Sequence, residues 1–207
     1  MKVGVIGSGD VGKALAAGFI AHGHEAKVGT REPAKLAEWA ATTKASVGSV
    51  AEAAAFGELV VLATAWSGTE QALASAGNLS GKIVIDATNP LAHVDGKPTL
   101  ALGHTDSGGE QVQRWAKGAK VVKAFNIINA GAMVDPQFAG GPPDMFIAGD
   151  DVEAKQTVTA ILKDFGWPVT DVGGIVGSRL LEPLAMLWVH IGLTSGNWAN
   201  AWKLLRK

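Results

Sequence analysis

The chain has 207 residues, a formal net charge of −1 and no cysteine. Its length is sufficient for a sizeable buried core, whereas its charge offers no basic surface for nucleic acid. Without cysteine it has no disulfide, thiolate metal site or thiol nucleophile, and we expect no metal site of another kind. Met1 leads directly into an apolar run without a basic segment or a cleavage site. We therefore predict no signal peptide and a cytoplasmic protein.

The first strand and the turn after it carry the most informative motif. Residues 3–6 form a short apolar run that suits a buried parallel strand, which we predict over residues 2–6, and a helical pattern covers residues 11–22. Between them Gly7, Gly9 and Gly12 give the pattern G-x-G-x-x-G, which in this context is typical of a dinucleotide-binding turn. We assign the tight turn to Gly7, the approach of a pyrophosphate to Gly9 and close helix packing to Gly12. The N–H groups at the helix N-terminus would bind the phosphates.

The second strand, predicted over residues 24–29, ends where a dinucleotide site selects its ribose. An NAD site usually has Asp or Glu there to hold the 2′-hydroxyl, whereas this chain has Thr30, followed by Arg31 and Lys35. A hydroxyl, a guanidinium and an ammonium suit a 2′-phosphate, because arginine can bind it through two hydrogen bonds. Glu32 is the opposing charge, and its place before a proline at a helix start favours a solvent-facing side chain. The pattern favours NADP over NAD.

Helices and strands alternate along the remainder of the first 171 residues. Helices are predicted over residues 33–43, 50–56, 107–117 and 152–165, and a further helix is predicted after an N-cap at Ser67. Strands are predicted over residues 45–47, 59–63, 83–85, 121–125 and 145–148. A long loop is predicted over residues 86–104. This alternation predicts an α/β fold with a doubly wound parallel sheet, the Rossmann NAD(P)-binding fold. We assign residues 1–171 to this dinucleotide-binding domain and residues 172–207 to a small helical C-terminal segment.

The C-terminal segment contains an uncharged stretch, residues 183–202. We predict a buried helix, a break and a second helix rather than a membrane span, because glycine, proline and asparagine make the stretch too polar for lipid. Apolar side chains occupy two sides of the first helix and recur on the second (Leu180, Leu184, Leu187 and Ile191; Leu181, Ala185 and Trp188; then Trp198, Trp202 and Leu205). Two apolar sides indicate two covering surfaces. We therefore predict a homodimer through the C-terminal helices, with an ordinary core helix as the alternative.

Five segments resemble the family of NADP oxidoreductases that depend on coenzyme F-420, a deazaflavin also written F420. They are Gly7-Ser-Gly-Asp-Val-Gly12, Val28-Gly-Thr-Arg31, Ile85-Asp-Ala-Thr-Asn-Pro90, Val122-Lys-Ala-Phe-Asn126 and Ser178-Arg-Leu-Leu-Glu-Pro-Leu184. The first two also occur in other Rossmann enzymes, and the last two are more discriminating. The resemblance implies hydride transfer between NADPH and the deazaflavin. The reductase domains of membrane ferric reductases share much of the pattern, so the acceptor stays open.

The resemblance also implies the residues that touch the cofactor. On the phosphate side these are the glycine turn, namely Ser8, Asp10 and Val11 with Gly7, Gly9 and Gly12, and the group Thr30, Arg31 and Lys35. On the nicotinamide side they are the backbone of Ala63, Thr64, Ala65 and Trp66, after the fourth strand, and the backbone around Asn129 and Ala130 further along the chain. Asn89 has two interpretations, a turn residue before a proline or a ligand contact.

The strand ends carry hydroxyl and amide groups rather than an acid–base pair. Direct hydride transfer between two bound cofactors needs close stacking and exclusion of water, and it therefore suits such a rim better than carbonyl reduction, which needs a proton donor. We assign no catalytic residue. His93 and His104 could supply a proton and support the alternative, whereas Asp86 is interpreted as a carboxylate that pins its loop.

Several functions remain open at this point. The hydride partner could be coenzyme F-420 or a flavin as a second redox cofactor, or ferric iron, an imine or a carbonyl as a small-molecule substrate. A protein that binds NADP as a sensor, without catalysis, is the alternative from a different class. The residues predict neither a nucleic-acid partner nor a membrane partner.

Overall fold

Strands and short helices alternate in this computed structural model, which describes residues 1–205 and 207. The strands are β1 (Lys2–Ile6), β2 (Glu25–Gly29), β3 (Ser46–Gly48), β4 (Leu59–Leu62), β5 (Ile83–Asp86), β6 (Leu91–Val94), β7 (Lys97–Leu100), β8 (Lys120–Lys123), β9 (Met145–Gly149) and β10 (Val169–Asp171). The α-helices are α1 (Asp10–Ala21), α2 (Ala37–Thr43), α3 (Val50–Phe56), α4 (Thr69–Ala76), α5 (Gly108–Trp115), α6 (Val152–Asp164) and α7 (Ser178–Ser195).

Eight strands form one sheet in the order β10-β9-β8-β5-β4-β1-β2-β3. The six neighbouring strands β8, β5, β4, β1, β2 and β3 run parallel to one another. This arrangement confirms the predicted doubly wound Rossmann sheet. β9 runs antiparallel to β8, and β10 is parallel to β9. The order reverses between β1 and β4, and the crevice outside such a reversal is where ligands bind in doubly wound sheets.

The two faces of the sheet bury separate hydrophobic cores. On one face Phe19 of α1 and Leu162 of α6 belong to a cluster that also includes Val5 and Val122 from the sheet. On the other face Leu73 of α4 and Val112 of α5 pack with a second set of strand residues. The central strands show continuous apolar runs, residues 3–6 in β1 and all of β4, because both faces of the sheet are covered.

The predicted loop over residues 86–104 is wrong in part, because it contains the antiparallel hairpin of β6 and β7. Asp95 and Gly96 at its tip both have positive φ angles, 51° and 74°. That conformation is typical of the two-residue turn that an Asp-Gly pair favours between antiparallel strands. The Asp-Gly signal was present in the sequence, but the few apolar residues around it obscured the two short strands.

The predicted second C-terminal helix is also wrong. α7 continues to Ser195, and Gly196, with φ of 69°, ends it in the left-handed conformation. In the part of the chain that the structure describes, the residues beyond Gly196 are not helical. The Asn197 side chain accepts a hydrogen bond from the N–H of Ala199, and Asn200 donates to the carbonyl of Asn197. These local bonds compete with a helix for the backbone groups.

None of the helices among residues 1–205 and 207 has the length and apolar character needed to cross a bilayer.

Candidate functional site

The glycine turn after β1 has two crowded positions and one open position. Gly7 has φ of 121°, and a Cβ there would collide with the carbonyl oxygen of Ala63. A Cβ on Gly12 would collide with the carbonyl oxygen of Gly7. By contrast, a Cβ on Gly9 would meet no atom of the described chain within 4 Å. The fold therefore explains the absence of a side chain at Gly7 and Gly12, and a ligand in the open space would explain it at Gly9.

This open space lies at the N-terminus of α1. Gly9 is the N-cap of the helix and has no side-chain hydrogen bond to the first turn. The first N–H groups of a helix have no partners within it, and together with the helix dipole they favour an anion. The turn and the helix thus have the geometry of a phosphate-binding site, although Asp10 adds one negative charge to the first turn.

The polar residues that follow β1 and β2 comprise a pair of hydroxyls and two exposed basic side chains. The hydroxyls of Ser8 and Thr30 are 3.0 Å apart and hydrogen-bonded. Arg31 is exposed and has no hydrogen-bond or ion-pair partner within residues 1–205 and 207. Lys35 is also exposed, but its Nζ lies 2.7 Å from Oε2 of Glu32. An exposed pair of this kind contributes about 0–1 kcal/mol, so Lys35 could exchange Glu32 for a phosphate at little cost.

The chain leaves β4 through a segment that side chains hold in place. Ala63 continues the ladder by donating its N–H to the carbonyl of Ile6. The hydroxyls of Thr64 and Thr69 are 2.9 Å apart, and Thr69 also donates to the carbonyl of Ala65. The predicted N-cap at Ser67 is wrong, because α4 begins at Thr69 and its N-cap position is a glycine without a side-chain bond.

Two asparagines join the ends of β5 and β8. Asn89 donates its side-chain N–H to the carbonyl of Asn126 at 2.7 Å, and Asn126 donates to Oδ1 of Asn89 at 3.1 Å and to the carbonyl of Leu181 at 3.1 Å. The side chain of Asn89 makes this cross-strand pair rather than a local turn. The position of Asn126 after a predicted strand placed it at the rim, but its pairing with Asn89 required the fold.

The turn that contains Ala130 is tied to the end of the chain. Ala130 begins a short 3-10 turn, Ala130–Ala132, after Asn129. The side chain of Asn129 donates to the carbonyl of Trp198 at 2.9 Å, and the Trp198 ring packs 5.3 Å from that of Trp188. The C-terminal residues thus support the turn that the resemblance assigns to the nicotinamide side.

A buried ion network lies beneath this rim. Lys123 Nζ is 2.9 Å from Oδ2 of Asp86 and 2.9 Å from Oε1 of Glu182, and all three side chains are at most 2% exposed. Asp86 also accepts the N–H and hydroxyl bonds of Thr88. These bonds confirm the interpretation of Asp86 as a carboxylate that pins its loop.

The network has two carboxylates and one ammonium, and the N-terminus of α5 balances the excess negative charge. Gly108 and Gly109 each donate an N–H to Glu182 at 2.9 Å, where the helix dipole also favours an anion. Burial disfavours the charged form of Lys123, but attraction to Asp86 and Glu182 outweighs it and raises the pKa above its ordinary value of 10.5. Lys123 is therefore a fixed cation at neutral pH and not a proton donor for a reaction.

A second ion pair fixes α7 beside this network. Arg179 binds Glu110 through two hydrogen bonds of 2.8 and 2.6 Å, and the Ser107 hydroxyl donates to Glu110 at 2.6 Å. The bonds from Arg179 lower the pKa of Glu110, against burial, which acts in the opposite direction. The two most discriminating sequence segments, around Lys123 and Arg179, thus brace α7 against α5 and β8.

The two histidines of the predicted loop offer no prearranged acid or base. His93 lies on β6 and His104 follows the hairpin, and both are exposed. Neither imidazole ring has a hydrogen-bond or ion-pair partner among the residues that the structure describes. Within the same residues there is no group of three or more His, Cys, Asp or Glu side chains that could hold a metal ion.

Comparisons with known proteins agree with this geometry. Residues 2–90 match a family model described as NADP oxidoreductase, coenzyme F420-dependent. The F420-dependent NADP reductase of Methanothermobacter thermautotrophicus is 27% identical over 213 residues, which cover 93% of this chain and 90% of that protein. A crystal structure from Arthrobacter sp. FB24, provisionally assigned as an F420-dependent NADP reductase, is 40% identical and covers all of both chains with a TM-score of 0.95.

A third relative is much longer than this chain. The rat metalloreductase STEAP3 is 32% identical over 192 residues, which cover 90% of this chain and 37% of STEAP3. The chain therefore spans little more than a third of that metalloreductase.

Proposed function

The chain belongs to the family of coenzyme F420-dependent NADP oxidoreductases, and we propose that it transfers a hydride between NADP(H) and a deazaflavin of the F420 type. The observation that carries the proposal is the carboxyl edge of the sheet. Three features lie along this edge: the guanidinium of Arg31 after β2, the open turn at Gly9 after β1, and the amide pair of Asn89 and Asn126 after β5 and β8. No acid–base pair accompanies them among the described residues, as suits transfer between two cofactors.

The residues present fit NADP(H). The pyrophosphate would lie against the glycine turn, from Gly7 to Gly12, and the first turn of α1. The 2′-phosphate would be held by Ser8, Thr30, Arg31 and Lys35, and the nicotinamide side by Ala63, Thr64, Ala65, Asn89 and Ala130. The open approach at Gly9 supports this placement, because it is the one glycine of the motif whose missing side chain no described atom explains.

The protein's own contribution would be positioning. Bound NADPH supplies the hydride. Holding two reactants in the right orientation can lower the activation barrier by about 7–11 kcal/mol. The braced segment after β4, the asparagine pair and the tail-supported turn at Ala130 would hold the ring and exclude water. No titrating side chain is required for this role.

The similarity to a metalloreductase supports a second candidate, an NADPH-dependent reductase whose acceptor is a flavin or ferric iron. Purified protein should be given NADPH with F420, a free flavin, a ferric chelate, and an imine or carbonyl compound in turn, and NADPH absorbance followed. We expect the fastest oxidation with F420. Faster oxidation with any other acceptor would replace the proposed activity, and binding without oxidation under every acceptor would indicate a sensor.

A homodimer would cover the apolar side of α7. Leu180 is 70% exposed and Leu187 47% exposed, and Val94 on the hairpin is 60% exposed. A groove of about 960 Å³ lies between the residues after β7 and the start of α7. With the predicted second helix absent, α7 and the hairpin would form the contact. Sedimentation velocity should give twice the chain mass at micromolar concentration, and the mass of one chain would exclude the dimer.

Arg31→Ala is expected to weaken NADPH binding about 10- to 100-fold, because a charge-assisted hydrogen bond contributes about 1.5–3 kcal/mol. The affinity for NADH, which lacks the 2′-phosphate, should change little. Titration of both cofactors by calorimetry tests this, with 2′,5′-ADP as a ligand that carries the phosphate without nicotinamide. An equal loss for NADPH and NADH would mean that Arg31 does not bind the 2′-phosphate.

His93→Ala and His104→Ala are expected to alter the KM for the acceptor more than kcat. Both side chains are exposed and without partners in the described residues, so their loss should remove only binding that the ground state and the transition state share. Stopped-flow measurement of hydride transfer at saturating substrates provides the test. A fall of about 100-fold or more in the chemical step, the size of a lost general acid, would favour imine or carbonyl reduction.

A further inference from the structure

One buried acceptor at the rim has no donor in the described chain. Asn126 is 5% exposed, and its Oδ1 has no hydrogen-bond partner. The orientation of the amide is fixed, because both N–H bonds of Nδ2 point to acceptors, Oδ1 of Asn89 and the carbonyl of Leu181. A flipped amide would place its oxygen against those two oxygens. An unsatisfied buried acceptor destabilises the fold, so a partner is expected.

The backbone is strained next to this acceptor. Phe125 has φ of 64°, a conformation that bulky residues rarely adopt. Its N–H donates only to the sulfur of Met145, a weak acceptor, at 3.2 Å. Strain and a poor backbone hydrogen bond therefore coincide where the chain turns Asn126 out of β8 and towards Asn89. Such strain clusters at ligand sites.

The position of Asn126 along the sheet indicates which part of a dinucleotide would reach it. The glycine turn follows β1, Arg31 follows β2, and β8 is the third strand from β1 on the opposite side. A pyrophosphate at β1 with the 2′-phosphate at β2 directs the nicotinamide half towards β4, β5 and β8. The ribose hydroxyls are next to the pyrophosphate, whereas the carboxamide N–H₂ lies at the far side of the ring.

We propose that Oδ1 of Asn126 accepts a hydrogen bond from the carboxamide N–H₂ of the nicotinamide, with Asn89 holding the Asn126 amide in the required orientation. This assignment rests on the proposed binding of NADP(H). Asn126 would thereby fix the rotation of the nicotinamide ring, and with it the ring face that is presented to the hydride acceptor.

The test compares NADP⁺ with its 3-acetylpyridine analogue, in which a methyl group replaces the amide N–H₂. The wild-type protein should bind NADP⁺ about 10-fold more tightly, as expected for leaving one buried acceptor unsatisfied. Asn126→Ala, which removes the acceptor, should bind both ligands equally. Asn78→Ala, at an asparagine that bonds to the N–H of Ser80, provides the matched control.

The outcomes separate this inference from the function on which it rests. Failure of 2′,5′-ADP and NADP⁺ to bind at all would contradict the proposed function. Normal binding of both with no preference over the analogue, or a preference that survives in Asn126→Ala, would overturn the role of Asn126 alone. A second measurement needs no folded alanine variant: the ¹³Cγ resonance of Asn126 in wild-type protein should shift with NADP⁺ and much less with the analogue. Equal shifts would also overturn it.

Discussion

Gly9→Val is expected to abolish NADPH binding while leaving the fold of the apo protein intact. A valine Cβ at this position would meet no described protein atom within 4 Å, and the backbone angles of −73° and −175° suit a β-branched residue. The side chain would fill the space where the pyrophosphate approaches the turn. Losing two charge-assisted hydrogen bonds of about 1.5–3 kcal/mol each would weaken binding by at least about 100-fold.

The melting temperature of the apo protein distinguishes a ligand clash from a folding defect. Gly9→Val should shift it by about 1–2 °C at most, as expected for a substitution of about 0.5 kcal/mol in a chain of this size. Gly12→Ala is the matched control, because its Cβ would collide with the carbonyl oxygen of Gly7 and should lower the melting temperature clearly. Normal NADPH affinity in Gly9→Val would place the phosphate turn elsewhere.

The sheet was predictable because its signals are local. The strand predicted over residues 2–6 is β1, and the helix predicted over residues 50–56 is α3. Buried parallel strands need uninterrupted apolar residues, and the glycines at their ends mark turns that side chains would block. Each of these features depends on neighbours in the sequence, and a single chain displays them fully.

The C-terminal segment was less predictable because its structure depends on distant contacts. The spacing of Trp198 and Trp202 suggested a helix, yet the backbone at Trp202 accepts a hydrogen bond from Asp144, and Trp188 donates to the carbonyl of Asn200. These bonds hold the tail against residues that periodicity does not identify. A short apolar repeat therefore cannot distinguish a helix from an irregular segment that packs its indole rings against the fold.

The candidate site likewise combines local features, which the sequence displays, with contacts between distant residues, which it does not. The glycine turn and the basic residues after β2 are consecutive in sequence and were recognisable there. The support beneath the rim is not, since Glu182 binds the N–H of Gly108 from 74 residues away. The segments around Lys123 and Arg179 carried the family resemblance without indicating why, and the structure shows that Lys123 and Arg179 themselves brace α7 through ion pairs.

Lys123→Met is expected to lower the free energy of unfolding by about 3–5 kcal/mol, because Asp86 and Glu182 would remain buried without their cation. Urea unfolding at pH 7 measures this directly. The pKa of Lys123 is raised above 10.5, so its stabilising charge is fully present below that pH and is lost only above it. Lys35→Met, which breaks an exposed pair, should change stability by less than about 1 kcal/mol.

Neutralising the carboxylates identifies the cause of the loss. Combining Lys123→Met with Asp86→Asn and Glu182→Gln removes all three charges, so that no buried charge is left without a partner. We therefore expect the triple variant to be more stable than Lys123→Met alone. Equal destabilisation of the single and the triple variant would mean that the packing of the lysine stem, rather than its charge, holds α7 against the sheet. The rim of the candidate site would then depend on the shape of the lysine side chain instead of its electrostatics.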